Sequence, residues 1–300
     1  MMKLYYYKAP DGNFGDDLNP WLWNRLIPEL LDEDDSTLFV GIGTLLNHRV
    51  PVAPRKLVFG SGAGYGETLK PDSRWKFYCV RGPLTAEVLG LDKKLAITDA
   101  AALIAQEVHT PESRSIVSFM PHHDSMSRAD WRAISEAAGL HYIDPTSPVE
   151  ETLQAINRSK FVVAEAMHGA IVADALRVPW IPVKCYSHVL DFKWQDWCSS
   201  LGMEYKPFVL PEIWDAERSL GAKAKLINQI KRGGMKLRMG AEWTPPPPPK
   251  SSAAQFVSAI HQLRKIANVA NTELSEDQIF NGALERLQEQ LWQLRNSNPR

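Results

Sequence analysis

Short apolar runs of strand length alternate with longer amphipathic stretches, and this alternation constrains the fold more than any other feature of the chain. Runs at 3–7, 38–42, 56–59 and 77–80, and again at 115–119, 141–143, 161–164 and 180–183, read as strands. Helices are predicted between them at 20–31, 83–89, 129–138, 149–157, 170–176 and 193–201. Pro20 and Pro83 suit a first helical turn, where a missing N–H costs nothing, and Asn19 is the predicted N-cap of the first helix. Strand–helix alternation of this kind builds a mainly parallel sheet with helices on both faces. The pattern runs twice, divided by the polar segment 106–114. The expected fold is therefore α/β, with two Rossmann-like units at 1–105 and 115–210 facing a cleft.

Residues 211–300 differ. The stretch 218–240 carries seven Lys or Arg and no acid, and suits an anionic membrane surface or a diphosphate. A solvated helix face is the plainer expectation for it. Pro245 to Pro249 form a stiff spacer. In the last predicted helix Phe280, Leu284, Leu287, Leu291 and Leu294 follow 4-3-4-3 spacing. Two heptads are too few for a coiled coil, so packing on the body or on a second subunit is expected.

Bulk properties narrow the function. A formal charge of −1 argues against a nucleic-acid binder. Three widely spaced cysteines fit neither a disulfide framework nor a structural zinc site, but do fit a reducing cytosol. No secretory h-region opens the chain, and the apolar stretch 161–183 is broken by Glu165, His168, Asp174 and Arg177. A cytoplasmic location follows as the expectation. Ten tryptophans supply core, or aromatic surface for a sugar or partner.

Four strand-to-helix junctions concentrate chemistry. The first, Asp11-Gly12-Asn13-Phe14-Gly15-Asp16-Asp17, joins flexible glycines to donors and acceptors. The second, 60–66, is glycine-rich but matches neither G-x-G-x-x-G nor a P-loop, and reads equally as a flexible loop or an anion cradle. The third places Arg81 at the end of a strand and the start of a helix, where a cation suits phosphate or carboxylate. The fourth places His168 similarly, and histidine is readily tuned for proton transfer. Pro121-His122-His123-Asp124 has metal-type residues but no H-E-x-x-H and no second cluster, so no metal is expected. G-x-S-x-G is absent.

Taken in order, these motifs resemble a known family. Gly12-Asn13-Phe14-Gly15-Asp16-Asp17, Val80-Arg81-Gly82-Pro83-Leu84-Thr85, Thr98-Asp99-Ala100-Ala101, Met167-His168-Gly169-Ala170 and the segment 193–202 are similar to polysaccharide pyruvyltransferases of the bacterial exopolysaccharide branch, the succinoglycan and xanthan type. The resemblance spans about residues 3–205.

It implies a GT-B-like two-domain fold, phosphoenolpyruvate as co-substrate without a separate cofactor, and a hexose of a lipid-linked or free oligosaccharide as acceptor. It also implies donor binding by Arg81, His168 and Lys193, with Lys184 as an alternative to Lys193. The loop bearing Asn13, Gly15, Asp16 and Asp17 lies by the cleft in that picture. His168 is then an acid or a phosphate ligand, and Asp16 a candidate base. The family often has Asp-Pro where this chain has Asp99-Ala100. The inner membrane face and a second copy are further candidate partners. A nucleotide-sugar glycosyltransferase on the same fold, and a non-catalytic carbohydrate-binding subunit, are the rival readings.

Overall fold

A computed structural model describes residues 1–52, 54–111, 113–236, 244–269 and 271–297. Two parallel sheets of five strands each form its centre. The first contains β1 (Met2–Tyr5), β2 (Leu31–Asp32), β3 (Thr37–Val40), β4 (Arg55–Phe59) and β5 (Trp75–Cys79), in the order β2-β1-β3-β4-β5. The second contains β6 (Ile116–Met120), β7 (His141–Tyr142), β8 (Ser159–Ala164), β9 (Trp180–Lys184) and β10 (Phe208–Val209), in the order β10-β9-β8-β6-β7. In each sheet the chain order reverses once, at β1/β3 and at β6/β8. Such reversals open a crevice beyond the carboxyl ends of the strands, where α/β proteins bind ligands.

The helices are α1 (Phe14–Leu26), α2 (Pro83–Val88), α3 (His123–Met126), α4 (Trp131–Ala138), α5 (Val149–Asn157), α6 (Met167–Ala175), α7 (Asp191–Ser200), α8 (Ala222–Lys236), α9 (Ala253–Val269) and α10 (Asp277–Ser297). Pro83 does open α2. Asp130 caps α4 by accepting from Ala133 N at 3.0 Å, and Gly139, at φ 85°, closes it.

The first helix corrects the reading of Asn19 and Pro20. It starts at Phe14, with Asn13 at the N-cap and Asp16 and Asp17 in the first turn, so Pro20 lies inside the helix. Asn19 is fully buried and spends its side chain elsewhere. Its amide donates to Ile42 O at 2.9 Å and accepts from Ile42 N at 2.8 Å, fastening α1 to the chain after β3. The start of α6 at Met167 likewise puts His168 in the first helical turn rather than before the helix.

The segment read as a linker is partly structure. A 3-10 helix runs Ala100–Gln106, and Arg114 donates to Asn157 O, Arg177 O and Leu176 O. One apolar core joins the two sheets, running from Met2 through Trp180 and Trp194 to Leu294. Trp23, Trp131, Trp180, Trp194 and Trp197 are each under 2 % exposed, so these five are core rather than display surface. The C-terminal helices divide. Arg264 of α9 donates to the carbonyls of Ala137 and Ala138 in α4, beside the second sheet, while Arg286 of α10 donates to Lys94 O at 2.8 Å beside the first. Phe280, Leu287, Leu291 and Leu294 are buried by that packing. No described helix is long and apolar enough to cross a membrane.

Candidate functional site

Both chain reversals open onto the same space. A cavity of about 500 Å³ is lined by Tyr6, Tyr7, Asn13, Gly15 and Asp16 after β1 and by Gly43 and Thr44 after β3. On the opposite side stand His122, His123 and Asp124 after β6 and Met167 and His168 after β8, with Tyr65 and Lys193 completing the wall.

Gly15 and His168 explain each other. Any Cβ on Gly15 would collide with Nδ1 of the imidazole, so a glycine here lets the two halves of the site close. The loop is held from across the cleft as well, with Phe14 N donating to Pro145 O at 2.8 Å. Asn13 Nδ2 donates to Asp16 Oδ2 at 2.6 Å, while Asp17 Oδ2 accepts from Asn13 N at 3.0 Å. Asp17 does not line the cavity, so it fixes the helix start while Asp16 faces the open space. Burial raises the Asp16 carboxyl to about 6, and the negative charge of Asp17 adds to the rise against the lowering bond from Asn13.

On the far side of His168, Nε2 is buried without a hydrogen-bond partner. It stands 3.9 Å from Asp99 Oδ2, itself buried and without a partner. The other oxygen of Asp99 accepts from Ala101 N at 3.0 Å, which fixes the carboxyl. Burial and the charges of Lys193 and Arg81 push His168 down to about 3, and burial lifts Asp99 to about 6. The two atoms face one another at a separation longer than a hydrogen bond.

Lys193, in α7, is 5 % exposed. Its Nζ donates to Tyr65 Oη at 2.9 Å and lies 3.4 Å from His122 Nε2; among the described residues no carboxylate forms a direct ion pair with it, while Asp124, Asp16 and Glu165 act on it from further off. Burial, followed by the nearby Arg81 charge, lowers it to about 8. The helix carrying it is bolted to the first sheet. Arg81 and Asp196, both 0 % exposed, form a buried ion pair at 2.9 Å, and Asp196 also accepts from Thr85 N and Oγ1. Gly82 admits the Asp196 carbonyl where any Cβ would clash.

Arg81 therefore occupies a different place from the one its motif suggested. Its Nε goes to Asp196, and its terminal nitrogens to Thr44 Oγ1 at 2.9 Å and Ala63 O at 2.8 Å; it does not line the cavity. Lys184 is also placed elsewhere. It pairs with Asp191 at 2.7 Å and borders a separate depression with Tyr205 and Glu212. The glycine-rich stretch 60–66 is not a cradle of amides. Gly62 makes room for the Arg81 guanidinium, and the loop delivers Tyr65 to Lys193.

Three contributors carry no signal in sequence spacing. Tyr65 sits in the glycine-rich stretch 60–66, where the glycines and not the phenol drew attention. Fully buried Glu165 accepts from His122 N at 2.9 Å and Cys185 N at 3.0 Å, tying the loops after β6 and β9 together. His188, far from His122 in sequence, packs against its ring at 4.9 Å between centroids. With Asp124 these histidines bring ligand-type atoms within 4.8 Å of one another. Yet His122 Nδ1 already accepts from Asp124 N at 3.2 Å and Nε2 faces the Lys193 amine, so a cation there would have to displace a helix cap beside a lysine.

The model of the polysaccharide pyruvyl transferase family matches residues 8–187, a span that includes Asn13, Asp16, Tyr65, His122 and His168 but neither β1 with Tyr6 and Tyr7 nor the Lys193 helix. The chain belongs to the polysaccharide pyruvyl transferase family. It is accordingly a transferase, and its cavity is the candidate active site of a pyruvyl transferase. The succinoglycan biosynthesis protein ExoV of Rhizobium meliloti (strain 1021) is 44 % identical over 221 residues, which is 72 % of this chain and 70 % of that protein. No solved structure matches this pyruvyl transferase.

Proposed function

We propose that the protein transfers the pyruvyl group of phosphoenolpyruvate to a hexose of an exopolysaccharide repeat unit, forming a pyruvate ketal and releasing phosphate. The observation that carries this reading is Lys193: a buried cation with no carboxylate partner among the described residues, facing the same cavity as His168 and Asp16. A buried unpaired charge is costly, and a phosphate or carboxylate set against it removes that cost. Arg81 contributes from behind. Through Asp196 it fixes α7, and through Thr44 it fixes the opposite wall, so it is a positioning residue for the anion site.

The chemistry assigns the remaining groups. The CH2 carbon of the enol takes a proton and becomes a methyl group. The His168 Nδ1–H supplies that proton while Asp99 passes its own to Nε2, so the imidazole stays neutral. C2 becomes oxocarbenium-like. A sugar hydroxyl adds to it and gives its proton to Asp16, which Asn13 orients. The bond from C2 to the phosphate oxygen then breaks, and a second hydroxyl closes the ketal. Of the two hydroxyl protons, one balances the new methyl group and the other leaves with phosphate. The reaction so written calls on no redox cofactor. Tyr6 and Tyr7 offer aromatic faces to the acceptor beside Asn13, Gly15 and Asp16.

Segments 1–105 and 115–210 then act as the two halves of a GT-B-like enzyme, with 211–300 as an extension that packs on both. Ligand-dependent melting tests the donor. Phosphoenolpyruvate should raise the Tm of the wild type and leave Lys193→Met unmoved. Stabilisation by a nucleotide sugar but not by phosphoenolpyruvate would favour a glycosyltransferase and overturn the proposal.

A further inference from the structure

The helix α8 is mounted with its polar side inward. Asn228 Nδ2 donates to Glu217 Oε1 at 2.7 Å, and Arg232 donates to Glu217 and to Pro247 O. One turn of helix brings i and i+4 into line, so Leu226 and Ile230 form one row on the opposite side, and Lys223, Ile227 and Lys231 form the next. Leu226, Ile227 and Ile230 are 57 %, 44 % and 60 % exposed, and Leu220, just before the helix, is 37 % exposed. An amphipathic helix that packs on its own protein does the reverse. The charge is one-sided as well. The stretch 218–240 has seven Lys or Arg and no acid, in a chain whose net charge is −1; Arg218 and Arg232 bond to their own protein, which leaves Lys223, Lys225 and Lys231 as the cations of the described side chains.

We propose that α8 lies in the interfacial plane of an anionic lipid bilayer, with Leu226, Ile227 and Ile230 among the acyl chains and the lysines at the headgroups. Lysine stems reach past apolar neighbours to bring their ammonium groups to phosphate level, which is why Lys223 and Lys231 can share a row with Ile227. A protein groove would be expected to meet so basic a surface with acids, whereas a bilayer rich in anionic lipid meets it at every approach angle. The helix also hangs from the active-site side of the second sheet. Arg218, just before it, donates to Met126 O at 2.8 Å at the end of α3, whose start brings His123 and Asp124 to the cavity. Bilayer contact would hold the cavity near the membrane surface. The proposal stands apart from the donor assignment, because its readout is binding and not turnover.

Flotation of the full-length protein tests it, with vesicles of phosphatidylcholine mixed with phosphatidylglycerol against phosphatidylcholine alone. The wild type should float with the mixed vesicles, release as salt is added, and show at least about tenfold weaker binding to phosphatidylcholine alone. The double variants Leu226→Ser/Ile230→Ser and Lys223→Glu/Lys231→Glu should each weaken binding by about tenfold or more, with turnover on a soluble acceptor unchanged as the check on folding. Absence of vesicle binding would overturn the proposal, as would equal binding to both lipids or indifference to either double variant. If the serine variant instead dissolves a homodimer without changing flotation, the apolar row covers a second copy and the bilayer assignment is wrong.

Discussion

At the scale of single residues, the site depends on two groups that each lack a conventional partner. The His168–Asp99 contact leaves Nε2 and Oδ2 facing one another across 3.9 Å, and Lys193 holds a buried charge beside a phenol and an imidazole. The proposed base and the proposed acid pair titrate in the same range. Asp16 must be ionised and is raised to about 6; Asp99 must still hold its proton and is also raised to about 6. The pH profile of kcat/KM should therefore be a bell centred near 6, falling below it as Asp16 protonates and above it as Asp99 loses its proton. Rates that climb steadily to pH 8 would exclude these roles. Stability has its own sign. A carboxyl whose folded pKa lies above its unfolded value near 3.8 favours the fold at low pH and loses that contribution as pH rises through about 6. His168→Ala should reduce turnover by about 10²–10⁴-fold, the usual span for a lost general acid, with a small change in Tm. Gly15→Ala should do similar damage without touching a reacting group, since its methyl would drive the imidazole from its seat.

At the scale of elements, α7 is the part whose placement matters most. Its contacts with Arg81, Gly82 and Thr85 hold Lys193 at the cavity, so Asp196→Asn should cost about 3–5 kcal/mol in urea unfolding by leaving Arg81 charged and uncompensated in the core. Gly82→Ala should weaken phosphoenolpyruvate binding by pushing α7 outward, a displacement that a fluorescence or calorimetric titration would read as a raised Kd.

Seven strands of four to six residues, and α5, were legible in the chain because their apolar pattern is local, and the short β7 fell within the run 141–143. The two-residue strands β2 and β10 were not, since two half-buried or exposed residues establish no period. The start of α1 was hidden because Pro20 resembles an opening residue, whereas the cap is made by Asn13 and Asp17. His168 and Asp16 were marked by their junctions, and Lys193 only by the family resemblance. Asp99 was visible only as part of a motif, and Tyr65, Glu165 and His188 acquire meaning only once distant loops meet. Arg81 was conspicuous for the right position and the wrong contact: the acid it pairs with is 115 residues away in sequence.

At the scale of the whole molecule, the two sheets share the largest of three buried apolar clusters, and the cavity lies where their switch points meet. Met2, Trp180 and Leu294 belong to the same buried cluster, so the chain should unfold in urea as one cooperative transition seen alike by tryptophan fluorescence and circular dichroism. Two separated transitions would mean that the halves are independently stable. Truncating fully buried Leu287 of α10 to Ala should lower that single transition by about 2–5 kcal/mol, although the residue lies far along the chain from either sheet.

The most direct measurement follows one atom. Purified protein is incubated with phosphoenolpyruvate labelled with carbon-13 at C2 and with an exopolysaccharide repeat-unit oligosaccharide, and the label is traced by NMR. In the expected result the enol carbon signal disappears with phosphate release and reappears as a quaternary ketal carbon bonded to two sugar oxygens, and His168→Ala and Lys193→Met each prevent the change. Phosphate release with no label on the sugar, or undiminished transfer by either variant, would contradict it.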